Sequence, residues 1–165
     1  MKPRVGVSAC LLGEAVRYDA RSKPHAWVRG ELARRAELVP LCPETGAGLA
    51  VPRPPVRLVR LEQGVRALGV EDASLDVTPL LEEWSLSMVP LLRQLRGLVL
   101  KSRSPSCGLG SVPLHSPDGQ VLGLASGIFA EFLRRECPRL VLVEEAELDT
   151  TEGRESFLHA LAMGG

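Results

Sequence analysis

Short apolar runs alternate with longer stretches of helical period along this chain. Residues 4–9 form the first run, a strand buried on both faces that ends at Cys10 and turns through Leu11, Leu12 and Gly13. A polar stretch without periodicity follows, and then Trp27, Val28, Leu32 and Ala36 share one face of a predicted helix over residues 27–36. Residues 37–41 are a second apolar run, ending at Cys42. Three prolines between Val51 and Val56 mark a connector, and the alternation from Arg57 to Leu68 around Glu62, Gln63 and Gly64 predicts a hairpin. Asp76, Val77, Thr78 and Pro79 open a helix, with Thr78 as the expected N-cap and Glu82 and Glu83 near the positive end of its dipole. Its apolar face runs through Leu81, Trp84, Met88, Leu91, Leu92 and Leu95, and Pro90 interrupts it at a cost of about 3 kcal/mol.

Residues 97–100 are the third buried strand, feeding the polar loop Lys101 to Gly108 (KSRSPSCG). Residues 109–125, rich in Gly, Pro, Ser and Asp, read as an irregular excursion or a small hairpin. A helix over 127–136, a fourth strand over 140–143 and a last helix over 151–163 complete the pattern. Strands alternating with helices predict a single α/β domain over residues 1–165, a mainly parallel sheet flanked by helices in a Rossmann-like arrangement.

Composition narrows the function classes. The 165 residues suffice for a core without staples, and 20 basic residues are balanced by 20 acidic ones, so the 17 arginines leave no net phosphate-binding footprint. The amino-terminal apolar stretch is too short for a secretory signal, and no segment reaches the ~20 apolar residues of a membrane span. A cytoplasmic, reducing location is therefore expected, in which the four cysteines act as metal ligands, nucleophile or core filler rather than as disulfides.

In a parallel sheet, ligands gather outside the carboxyl ends of the strands. Cys10, Cys42 and Cys107 each lie at or just after such an end, whereas Cys137, between a helix and the strand at Leu140, falls at the opposite edge and reads as packing. Three thiols leave two arrangements open. One is a zinc site of three Cys and one His, drawing on His25, His115 or His159; the other is a [4Fe-4S] cluster on three Cys with one iron open to an exogenous ligand.

Ser8-Ala9-Cys10-Leu11-Leu12-Gly13 with Val16-Arg17-Tyr18-Asp19, Cys42-Pro43-Glu44 with Gly48-Leu49 and Val51-Pro52-Arg53, Asp76-Val77-Thr78, and the Lys101 to Gly108 loop together resemble the family known as domain of unknown function 523. Its characterised members are thiouracil desulfidases. The resemblance spans essentially the whole chain. It implies a [4Fe-4S] cluster held by Cys10, Cys42 and Cys107, whose open iron takes the sulfur of a thiolated uracil to give uracil and sulfide. In such a site Glu44 would activate water or protonate the departing sulfur. Ser102 would contact the pyrimidine or orient water, with Ser104 as its rival, and Lys101, Arg17, Tyr18, Asp19 and Arg53 would line the pocket. A structural ion pair accounts for Arg17 and Arg53 equally well. Three features depart from the pattern: Ala20 stands where Gly is expected, Arg57 where an acidic residue is expected, and residues 109–122 are atypical. Some relatives carry a second domain associated with action on tRNA, for which this length leaves no room, so a free base or nucleoside is the favoured substrate over tRNA. A metal- or cluster-binding structural or sensor protein without turnover is the alternative.

Overall fold

The computed structural model describes residues 1–164. Its first sheet is made of the four apolar runs read from the sequence: β1 (Arg4–Ser8), β2 (Glu37–Leu41), β5 (Gly97–Leu100) and β8 (Val141–Glu144), all parallel, in the order β2-β1-β5-β8. Pro40 lies in β2, an edge strand, where its missing N–H costs the sheet least. The register is level: Ser8 stands beside Leu41, Val7 beside Val99, and Leu100 beside Glu144. The loops that leave the four strands therefore start at one height.

Helices cover both faces. On one, a π-helical turn (Val28–Leu32) running into α1 (Ala33–Arg35) joins α6 (Thr151–Met163), burying Val5, Val7, Leu32, Phe157 and Leu161. On the other, α5 (Ile128–Glu136) and the segment around Leu92 and Leu95 bury Leu98, Leu100, Phe129 and Leu133. The expected long helix after Asp76 divides into α3 (Thr78–Ser87) and α4 (Val89–Leu92), the interruption falling beside Pro90.

Two expectations change. The sheet is not alone: β3 (Val56–Leu61) and β4 (Gly64–Gly69) form the expected hairpin, and residues 109–125 supply a second hairpin, β6 (Val112–His115) and β7 (Val121–Ala125). β6 pairs in parallel with β3, giving a mixed sheet of order β4-β3-β6-β7 whose core includes Leu58, Ala67, Leu81 and Leu114. Nothing local in the sequence announces that pairing, since its partners lie more than fifty residues apart. Thr78, moreover, does not cap α3. Its hydroxyl accepts the Ala67 N–H at 2.7 Å, and Asp76 instead receives the Thr78 N–H at 2.9 Å. The side chain thus ties α3 to β4 rather than to its own first turn.

Candidate metal centre and catalytic edge

Four neighbouring strands deliver the candidate groups to one edge. Cys42 follows β2 and precedes the short α2 (Pro43–Gly46), Cys10 sits in the 3-10 turn Ala9–Leu12 after β1, the Lys101 to Gly108 loop follows β5, and Glu144 and Glu145 stand at the end of β8. Cys10 and Cys107 are buried and all four cysteines are free thiols. Burial pushes the Cys10 thiol up to about 11; Lys101 and Arg17 pull it down, while Cys42 and Glu145 add to the rise. Burial likewise drives Cys107 far above the ordinary thiol range, against a hydrogen bond with Ser8, and Cys42, Cys10 and Glu44 act on it in the same upward direction. Three adjacent strands thus bring three thiols to one edge of the sheet, and Lys101 and Arg17 favour the thiolate form of Cys10.

Among the described residues, no group of three or more His, Cys, Asp or Glu converges tightly enough to hold a single ion. The ligands of one tetrahedral zinc stand roughly 4 Å apart, twice a 2.0–2.3 Å bond foreshortened by the tetrahedral angle. Two of the three histidines are engaged elsewhere, His25 Nε2 with Asp149 at 2.9 Å and His115 Nδ1 with the Leu58 carbonyl, and His159 is exposed on α6. Three soft thiolate donors suit an iron–sulfur cluster, which takes three cysteines and leaves one iron open.

The loop that carries Cys107 is held from two sides. The opening of α5 grips it from below: Ile128 N–H donates to the Pro105 carbonyl at 3.0 Å, and Phe129 and Ala130 N–H donate to Ser106 at 2.9 and 3.1 Å. A Cβ on Gly127 would lie 2.5 Å from the Ser106 carbonyl carbon, and one on Gly108 only 2.4 Å from Val112, so both glycines are required by close approach. Across the top, Glu144 accepts from Leu109 N–H at 2.8 Å and from the Ser111 hydroxyl, while Glu145 accepts from Ser102 N–H at 2.7 Å and from the Ser102 hydroxyl. Ser104 Oγ accepts from the N–H of Ser106 and Cys107, at 3.2 and 3.0 Å, and so shapes the turn.

Glu44 is fixed on two sides as well. Arg53 Nε donates to its Oε1 at 2.8 Å and the hydroxyl of buried Ser106 donates to its Oε2 at 2.8 Å. The Arg53 side chain is 8% exposed, and its Nη2 and Nη1 donate to the Val16 and Ala50 carbonyls, at 2.8 and 3.0 Å. All three guanidinium nitrogens therefore donate within the protein. Lys101 Nζ donates to the Ser102 carbonyl at 2.8 Å and to Glu145 at 3.2 Å, and its own N–H reaches Ser8 Oγ at 2.9 Å. Asp19 accepts from Arg21 N–H at 3.1 Å, Tyr18 is an exposed side chain whose carbonyl accepts from Arg53 N–H, and Arg17 acts on Cys10. Ser106, Glu144 and Glu145 were not singled out from the sequence. The acidic pair directly follows an apolar strand, the same signal that marked the cysteines.

Cys137 ends α5 at the other edge. It lines a groove of about 1480 Å³ with Phe132 of α5 and with Arg4, Arg96 and Leu140, which stand at or just before the starts of β1, β5 and β8. No helix among the described residues is long and apolar enough to cross a membrane.

No curated protein matches the chain. The solved structure of a [4Fe-4S]-dependent thiouracil desulfidase, TudS, matches with a TM-score of 0.74 and 30% sequence identity, over 98% of this chain and 99% of that one. The family described as 2-thiouracil desulfurase matches residues 5–145, a span that runs from β1 through every group at the edge to Glu145. With its motifs and its fold in agreement, the chain belongs to the 2-thiouracil desulfurase family.

Proposed function

We propose that this chain is a [4Fe-4S]-dependent desulfidase, a single domain over residues 1–165 acting on a free thiolated pyrimidine base or nucleoside and releasing uracil and sulfide. The observation that supports the reading is the delivery of Cys42, Cys10 and Cys107 by three adjacent parallel strands to one edge. These three residues would hold the cluster, and coordination would displace the protons that burial keeps on Cys10 and Cys107. When bound, the cluster supplies a thiophilic Lewis acid at its open iron. A reducing, cytoplasmic location suits four free thiols.

The conversion of C=S to C=O is a hydrolysis: a water oxygen bonds to carbon, the carbon–sulfur bond breaks, and the two water protons leave with sulfur, with no net electron transfer. Glu44 is the residue suited to move those protons. Each of its oxygens accepts one internal bond, from Arg53 or Ser106, and each retains a second lone pair for a water proton. The two donors also fix the carboxylate plane, so the group is oriented before water arrives. Ser102 stands across the edge as the substrate contact, and Lys101 keeps a cation beside Cys10.

The test is sulfide release from 2-thiouracil and 4-thiouracil by protein purified anaerobically and loaded with iron and sulfide, without added reductant. Uracil and sulfide are expected in equal amounts. Glu44→Gln with its iron retained is expected to lower kcat by about 10²–10⁴. Iron-loaded protein that releases no sulfide from either compound contradicts the reading, and undiminished turnover in the variant removes Glu44 from the chemistry.

A further inference from the structure

We propose that Glu145 is a positioning residue that makes the Ser102 hydroxyl a hydrogen-bond acceptor, selecting substrates for a ring N–H beside the thiocarbonyl. This rests on the desulfidase reading and assigns specificity within it.

A serine hydroxyl has one proton and two lone pairs. Where the proton goes decides whether the residue offers a donor or an acceptor to a ligand. Here the Ser102 proton is committed: Oγ donates to Glu145 Oε1, while the Ser102 N–H donates to Oε2 of the same carboxylate at 2.7 Å. Lys101 Nζ approaches the same pair, 3.2 Å from Glu145 Oε1 and 3.3 Å from Ser102 Oγ. One Oγ lone pair faces that ammonium, and the other remains for a donor from outside. Glu145 is partly buried, with 12% of its side chain exposed, and it projects from the end of β8, the strand beside β5, so both partners rest on the sheet. Nothing about the carboxylate allows it to donate while ionised, and Lys101 is its neighbouring cation.

In both 2-thiouracil and 4-thiouracil the nitrogen N3, which carries a hydrogen, adjoins the thiocarbonyl carbon. An acceptor at this position therefore serves either isomer. It also rejects a ring methylated at N3, which has no proton to give and leaves the Ser102 lone pair unpaired.

Glu145→Gln reverses the polarity. The backbone N–H of Ser102 demands the amide oxygen, which turns the amide NH₂ toward Ser102 Oγ and sends the hydroxyl proton outward. Glu145→Asp keeps two acceptor oxygens. The experiment measures equilibrium binding of uracil and 3-methyluracil to the iron-loaded protein by titration calorimetry, alongside kcat and KM for 4-thiouracil. Wild type is expected to prefer uracil about tenfold, the worth of one buried hydrogen bond. In Glu145→Gln with unchanged iron content the preference is expected to fall to about threefold or less, with the activity loss carried by KM, and Glu145→Asp is expected to restore it. A full preference retained in Glu145→Gln overturns the proposal. Should that variant not fold, Ser102→Ala decides: a preference that survives there overturns the proposal, and one that vanishes supports it. Sulfide release by a wild type that binds the two ligands equally sinks this inference and leaves the functional reading intact, whereas a preference without sulfide release does the reverse.

Discussion

The Ser106 hydroxyl donates to Glu44 Oε2 at 2.8 Å, joining the loop after β5 to the short helix after β2 across the strand that lies between them. Ser106 is 1% exposed, so water does not compete for this bond. Its carbonyl is held in turn by the first amides of α5. The carboxylate proposed to move protons is thereby aimed, on one element, by a residue whose own position is fixed by another.

Ser106→Ala removes that donor without introducing a buried polar group. Stability is expected to fall by about 1–2 kcal/mol, the cost of leaving Glu44 Oε2 short of a partner, and kcat for sulfide release to drop about tenfold at unchanged iron content. Urea denaturation and steady-state sulfide assays check the two halves. An unchanged kcat would show that Arg53 alone orients Glu44.

Asp76 gives the fold an acid-sensitive link. Burial raises its pKa, but the hydrogen bonds from Thr78 and the ion pair with Arg66 at 2.8 Å outweigh burial, leaving the carboxyl below its ordinary range. The unfolded chain therefore takes up a proton at about pH 4, where folded Asp76 still resists it, and the stabilisation present above that pH is lost as pH falls through the lower folded value. Asp76→Asn is expected to be less stable than wild type at neutral pH and to lose less stability between about pH 5 and pH 3. Parallel acid limbs for the two proteins in thermal melts would assign the link to other groups.

Ala20 adopts φ 63°, a left-handed conformation that costs a residue with a Cβ about 1 kcal/mol. The departure noticed in the sequence, Ala where Gly is expected, has this backbone angle as its physical content. Ala20→Gly is expected to stabilise the chain by up to about 1 kcal/mol, reduced by the greater freedom of glycine in the unfolded state. A lower melting temperature in the variant would contradict it.

What the sequence made legible follows from local signals. The four strands of the parallel sheet, the β3–β4 hairpin, α5, α6 and the break at Pro90 are each written in contiguous residues. The edge rule then separated Cys10, Cys42 and Cys107 from Cys137, and the structure puts Cys137 at the opposite edge. What stayed hidden depends on contacts between distant segments. Ser106 meets Glu44 across 62 positions, and Glu145 meets Ser102 across 43. Arg53 reads as a pocket residue or an ion pair in sequence, and only the bonds to Glu44, Val16 and Ala50 show how fully it is engaged. Thr78 carries every local mark of an N-cap, yet the Ala67 N–H competes for its oxygen.

Cys10, Cys42 and Cys107, and not Cys137, are proposed to hold the cluster. Iron per chain in anaerobically purified Cys→Ala variants tests this most directly. The expected result is about four irons in wild type and in Cys137→Ala, with the bound iron lost in each of Cys10→Ala, Cys42→Ala and Cys107→Ala. Full iron content in any of those three, or its loss in Cys137→Ala alone, would contradict the assignment.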